Sequence, residues 1–411
     1  MAGFLRRAFA ALLALASVMC VVSCVTMTEN LLYSSVVGYS SDQIERNMRT
    51  LDPDASYSKR ASVLMKLLGD EKKMEELNDR YSGLVDAVLR SKRDNVVEAS
   101  LLTEDDPVRI FLTYPKRRKY KPYEKYPVML FSHGGGFTGQ DFSVYENLVS
   151  RLADKIDCVV AFYEYRLAPE HKFPAAVEDT YAVYKWLMDD DVAECYGFDN
   201  DNFVFFGDSS GGNLISGLVI RIAENKEKKA KGVLLLYPSV DVTDRLNYSR
   251  VAFSGIEDPS RYYVTSLSYL SYVMKAYLND PEDAYKPYAS PLVMLQGMMN
   301  VKDYDNPLAK YAPKLELPLD FPEHFVAIPE IDTLRDEGKA YCALLKAYGV
   351  DVQMKEYPGM FHGFLMTNAF IGRSGDCFDD CVAFADRVLK PNRYSSISSF
   401  EEFYVSSAEI E

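Results

Sequence analysis

The chain predicts an α/β fold: a mostly parallel, eight-stranded sheet with helices on both faces. Three observations point there. Eight apolar, β-branched or aromatic runs occur at 95–102, 108–115, 127–133, 157–165, 202–208, 231–238, 324–330 and 352–358. The later runs alternate with helical patterns at 142–155, 175–189, 213–226, 335–348 and 379–389, the order expected when crossover helices cover a parallel sheet. The chemically distinctive turns follow runs three, five, seven and eight, which places all four at the carboxyl edge of the sheet, where such folds bind ligands.

The turn after run five is the most informative. Asn202-Phe203-Val204-Phe205-Phe206 ends in Gly207-Asp208-Ser209-Ser210-Gly211-Gly212, and a helix opens at once from Asn213 to Glu224. A G-x-S-x-G turn between a strand and a helix is a nucleophile elbow. Glycines at both −2 and +2 single out Ser209, because Ser210 would need one where Asp208 stands. The helix N-terminus aims N–H groups at the same spot and favours developing negative charge there.

A serine nucleophile needs a base and an orienting acid, in the chain order Ser, acid, His for this architecture. The chain has four histidines. His133 and His171 precede Ser209, and His324 opens the apolar run Phe325-Val326-Ala327-Ile328. His362 remains, in the loop after the last run, and is the expected base. The acid is expected in Pro329-Glu330-Ile331-Asp332, after run seven. Asp332 is the choice and Glu330 the second. Asp336 has a different expected role: Thr333-Leu334-Arg335-Asp336 fits a capping box, with Thr333 as N-cap.

Run three ends in Ser132-His133-Gly134-Gly135-Gly136-Phe137. Three glycines let backbone N–H groups approach a ligand unobstructed. The N–H groups of Gly135, Gly136 and Ser210 are therefore the expected oxyanion donors. His133, beside Gly134, reads as the structural anchor of that loop.

These stretches together resemble the hormone-sensitive-lipase family of α/β-hydrolases. The likeness rests on His133 to Gly136, on Tyr165-Arg166-Leu167-Ala168-Pro169-Glu170 with Phe173-Pro174-Ala175-Ala176 and Asp179, on Gly207 to Asn213, and on Asp332 to Gly338 with His362-Gly363-Phe364. It spans roughly residues 95–390. The resemblance implies the α/β-hydrolase fold with a helical cap and an esterase or lipase activity on a small-molecule ester. It further implies Ser209 as nucleophile, Asp332 as acid and His362 as base. Ser210 stands where the family often has Ala, and Thr333 replaces its usual Pro. Plant gibberellin receptors resemble the same family but lack the base. A non-catalytic receptor, or an envelope interaction protein on this scaffold, is the alternative, and His362 argues against both.

A net charge of −14 argues against nucleic-acid binding. The four histidines are scattered, with no H-E-x-x-H, paired C-x-x-C or G-x-G-x-x-G spacing, so neither a metal nor a cofactor is expected. The catalytic domain is expected over 93–390, with a helical cap region over 28–92, a second cap piece over 243–278 and an acidic, Ser-rich tail over 391–411. In the cap region Tyr81, Leu84, Val85, Val88 and Leu89 form one apolar stripe. At the N-terminus, Arg6-Arg7 followed by the apolar Ala8 to Val22 reads as a secretory signal over 1–23. Val21-Val22-Ser23-Cys24 resembles a bacterial lipobox, which would make Cys24 the lipid-attachment residue and the protein an envelope lipoprotein. An uncleaved membrane anchor is the rival reading. The five later cysteines form no disulfide scaffold, although Cys377 and Cys381, one helical turn apart, leave a single bridge open.

Overall fold

A computed structural model describes residues 95–101, 107–116, 125–253, 265–299, 306–367 and 372–390. Its eight strands are β1 (Val96–Leu101), β2 (Val108–Thr113), β3 (Tyr126–Ser132), β4 (Val159–Glu164), β5 (Phe198–Asp208), β6 (Gly232–Leu236), β7 (Glu323–Ile331) and β8 (Val352–Phe361). They form one sheet in the order β1-β2-β4-β3-β5-β6-β7-β8. β2 pairs antiparallel with both β1 and β4, and every pairing from β4 through β8 is parallel.

Successive side chains of a strand point to opposite faces, and here both faces are apolar. Val128, Leu130, Phe203, Phe205, Val233 and Leu235 pack into one core. Met129, Phe131, Val204, Phe206, Leu234 and Leu236 pack into another. Helices α1 (Phe142–Ile156) and α9 (Gly372–Leu389) close the second core. Helices α2 (Ala175–Leu187), α4 (Ser210–Asn225) and α8 (Arg335–Ala347) close the first. The continuous hydrophobicity of the strand runs follows from this two-sided burial.

α1 shows how local chemistry sets a boundary. The Asp141 carboxylate accepts from the Ser143 N–H at 2.8 Å, and Asp157 ends the helix in the left-handed region at φ 58°. Tyr145, Leu148, Val149, Leu152 and Ile156 form its buried stripe.

The structure adds to the sequence reading and corrects it. β5 begins at Phe198, ahead of the expected run at 202–208, because the polar Asp199-Asn200-Asp201-Asn202 hides the earlier half of the strand in the sequence, and the register against β3 shifts between Pro127 and Val128. Four short helices carry weaker periodicity: α3 (Asp190–Tyr196), α5 (Tyr248–Ala252), α6 (Leu267–Tyr277) and α7 (Pro291–Gly297). The expected capping box does not form. Leu334 is the N-cap of α8 and makes no side-chain cap bond. The Thr333 hydroxyl instead donates to the Thr265 carbonyl oxygen, and Asp336 Oδ2 accepts from the Ser249 N–H. Long-range partners have taken both local caps. Cys377 and Cys381 are buried free thiols. Residues four apart on a helix project side by side, not toward each other, so no bridge closes.

Residues 1–23, Cys24, the 28–92 region and the 391–411 tail lie outside the described residues. Among the described residues, no helix is long and apolar enough to cross a membrane.

The chain beyond β6 is pinned by a buried ion pair. Arg250 of α5 donates to Glu337 Oε2 of α8 at 2.6 Å and to the carbonyl oxygens of Thr243, Arg245 and Asp241. Glu337 Oε1 accepts from the Val240 N–H at 3.0 Å. Arg250→Met leaves the buried Glu337 without its cation. It is expected to cost about 3–5 kcal/mol in urea unfolding, with much of that recovered in Arg250→Met/Glu337→Leu.

Candidate active site

β5 delivers Ser209 into a sharp turn and α4 takes the chain away at the next residue. Ser209 has φ 53° and ψ −120°, a region that side chains other than glycine rarely adopt. The turn is held from both sides, since the Ser209 N–H donates to the Leu236 carbonyl oxygen and its own carbonyl accepts from the Ser239 N–H, each at 3.0 Å. Its glycines are sterically required. A Cβ at Gly207 would meet Gly211 O at 2.5 Å, and one at Gly211 would meet Ser132 O at 2.0 Å.

Parallel register brings the other segments to this point. Ile331 of β7 pairs with Phe361 of β8, so Asp332 and His362 are each the next residue beyond a paired position. His362 Nδ1 lies 2.8 Å from Asp332 Oδ2, and Nε2 lies 2.8 Å from Ser209 Oγ. The carboxylate accepts a hydrogen bond from the Nδ1–H, which leaves Nε2 free to accept from the serine hydroxyl. The Tyr237 ring packs 4.9 Å from the imidazole. Asp332 is 1% exposed and His362 7%. A hydroxyl held this way can pass its proton to the ring as it attacks a carbonyl carbon.

The glycine turn reaches the elbow by the same logic. Ser132 pairs with Gly207, so His133 and Gly134 run beside Asp208 and Ser209. Gly134 lies so close that an added Cβ would sit 2.7 Å from Asp208 Oδ2 and 3.1 Å from Ser209 Cβ. Asp208 Oδ1 accepts from the Gly134 N–H at 2.8 Å, and Oδ2 accepts from the Tyr145 hydroxyl at 3.0 Å. The elbow and the turn are thereby clamped to each other. Gly135 and Gly136 have φ values of 117° and 63°. His133 is fully buried, with Nδ1 2.7 Å from Gly134 O and its ring stacked 4.2 Å from Tyr165. Burial lowers its pKa to about 4, which keeps it neutral near neutral pH.

Residues 129–366 match a family model described as the alpha/beta hydrolase fold. The chain belongs to the hormone-sensitive-lipase-like family of α/β-hydrolases.

This hydrolase is 31% identical over 245 residues to the carboxylic ester hydrolase LipN of Mycobacterium tuberculosis, a match covering 58% of this chain and 57% of that protein. It is 29% identical over 287 residues to the ethyl acetate hydrolase of Pseudomonas putida, covering 68% and 78% of the two chains. Among solved structures, the hyperthermophilic esterase from the archaeon Pyrobaculum calidifontis superposes with a TM-score of 0.64 at 30% identity, covering 79% of this chain and 97% of that one. The hydrolase is carboxylesterase-like.

The fold brings Ser209, His362 and Asp332 together and sets Gly134 against them. Glu330, the second choice of acid, is engaged elsewhere, accepting from the Gly359 N–H at 2.6 Å. His324 is buried with Nδ1 2.8 Å from Pro322 O. Asp208 and Tyr145 carry no role in the sequence reading. The signal for Asp208 was present: an acidic residue inside the elbow, flanked by buried strand, needs a nearby donor. Tyr145 lies 63 residues away and had none.

Burial pushes the Asp208 carboxyl up to about 6, against the opposing pull of the Tyr145 and Gly134 bonds and of His362. Its folded value lies above its ordinary one, so the folded state binds this proton more tightly. The contribution to stability is therefore full below about pH 4 and is lost as pH rises through about 6. Asp208→Asn is expected to flatten that part of the profile. Urea unfolding from pH 4 to pH 7 is the check, with the wild type losing stability relative to the variant as pH rises.

Proposed function

We propose that the protein is a serine carboxylesterase acting through an acyl-enzyme on esters of small or medium acyl groups. The observation that carries this reading is the unbroken line from Ser209 Oγ through His362 to Asp332, with both hydrogen bonds at 2.8 Å. Names of the relatives, ester hydrolases and esterases, support the same chemistry.

His362 Nε2 takes the Ser209 proton as Oγ bonds to the ester carbonyl carbon. Asp332 holds the ring in the required tautomer and stabilises the imidazolium. The N–H groups of Gly135, Gly136 and Ser210 receive the oxyanion, and each such donor is worth about 10²–10³ in turnover. The tetrahedral centre collapses, the carbon–oxygen bond to the alcohol breaks, and His362 hands its proton to the departing oxygen. Water then enters, gives a proton to His362 and attacks the acyl carbon. The acid leaves, and Ser209 recovers its proton.

α6 is the proposed cap piece over the glycine turn, since Tyr269 and Val273 lie against Gly136, so the acyl group is expected to be short.

Ser209→Ala should fold normally and lose at least about 10³-fold in kcat/KM on p-nitrophenyl esters. Across acetyl to decanoyl p-nitrophenyl esters, the wild type should turn over the shorter chains fastest and decanoyl poorly. Near-full activity in Ser209→Ala would refute the assignment.

A further inference from the structure

Asp332 receives a hydrogen bond from a distant part of the chain. Its Oδ2 faces His362, and Oδ1 accepts from the Leu334 N–H at 2.9 Å in a local turn. The Thr265 hydroxyl also donates to Oδ1, at 3.2 Å and from 67 positions away. Thr265 is held in turn by Thr333, whose Oγ1 lies 2.6 Å from both the Thr265 hydroxyl and its carbonyl oxygen. Asp332, Thr265 and Thr333 are 1%, 3% and 0% exposed. In so dry a setting, polar groups act as a connected network, and a missing member is costly.

Thr265 stands two residues before α6, and Ser266, the N-cap of that helix, accepts from the Tyr269 N–H at 3.2 Å. Further along, the helix lies against the glycine turn. A Cβ at Gly136 would meet the Tyr269 hydroxyl at 2.7 Å and Val273 Cγ2 at 2.8 Å. At its end, Tyr277 stacks on Phe137 with centroids 3.8 Å apart. The residue just before the α6 N-cap thus touches the acid, and the flank of the helix touches the turn.

We propose that Thr265 is a positioning residue and α6 a brace between the two halves of the site. Thr333 holds Thr265 through its carbonyl oxygen and the Thr265 hydroxyl holds the carboxylate toward His362, while Tyr269, Val273 and Tyr277 fix the turn that receives the oxyanion. The Leu334 N–H holds Oδ1 from the local turn and His362 holds Oδ2. The Thr265 hydroxyl adds a second donor to Oδ1 from another direction, and supporting bonds of this kind hold a reacting geometry in place. This inference rests on the carboxylesterase reading above.

Thr265→Val keeps the shape and deletes the hydroxyl. It is expected to lower kcat about tenfold on p-nitrophenyl acetate and to change KM by less than about twofold, because Thr265 acts through Asp332. Thr265→Ser should restore kcat to within about threefold of wild type. Thr333→Val, which leaves Thr265 intact but unsupported, should lower kcat by about threefold and serves if Thr265→Val does not fold. Wild-type kcat in Thr265→Val or in Thr333→Val, or a loss that Thr265→Ser fails to restore, overturns the proposal. Ser209→Ala in the same assay separates the two readings. Its activity would refute the esterase mechanism, whereas its silence beside a fully active Thr265→Val would refute the brace alone.

Discussion

The backbone at Ser209 cannot relax without losing the site. A serine at φ 53° costs on the order of 1–3 kcal/mol unless its surroundings over-determine it. The surroundings here do so. β6 and the chain after it grip the Ser209 amide and carbonyl, and Gly207 and Gly211 pass within a side chain's width of other backbone. The strain turns the hydroxyl out of the sheet and starts α4 at the following residue. A relaxed turn would bury the hydroxyl, and nothing then stands opposite His362.

The rest of the candidate site depends on parallel register. Each contributing segment leaves the sheet at its carboxyl edge, one or two residues past a paired position: Ser132 beside Gly207, and Ile331 beside Phe361. Residues 153 positions apart therefore meet at 2.8 Å without any long excursion of the loops. Buried polar contacts fix the fine geometry. Asp208 ties the elbow to the glycine turn, and the Arg250–Glu337 pair anchors α8, which follows the Asp332 loop directly. Each of these polar groups is costly to bury alone and is retained with a partner.

The features legible in the sequence share a property: their cause is local. Gly207, Gly211 and the Gly134–Gly136 run are visible because tight approach permits no other residue there. The strands are visible because burial on both faces leaves an unbroken apolar run. His362 could be found because the chain holds few histidines, two of which precede Ser209 while His324 opens a strand run. What stayed hidden depends on distant partners. Thr333 and Asp336 spell a capping box, yet each hydrogen-bonds to a residue far along the chain. Tyr145 lies in a stretch whose periodicity describes a helix, Arg250 and Thr265 lie in the 243–278 piece, and neither stretch carries a sign of a carboxylate across the fold. The first half of β5 was lost for the opposite reason, since polar residues in an irregular strand have no alternation to read.

The central claim is that one hydroxyl of the chain, at Ser209, is made nucleophilic by His362. Reaction with a fluorophosphonate probe followed by peptide mass mapping tests it most directly. The account predicts a single stoichiometric adduct on the peptide bearing Ser209, formed by the native protein and abolished by heat denaturation. No adduct, or an adduct on a different residue, would contradict it.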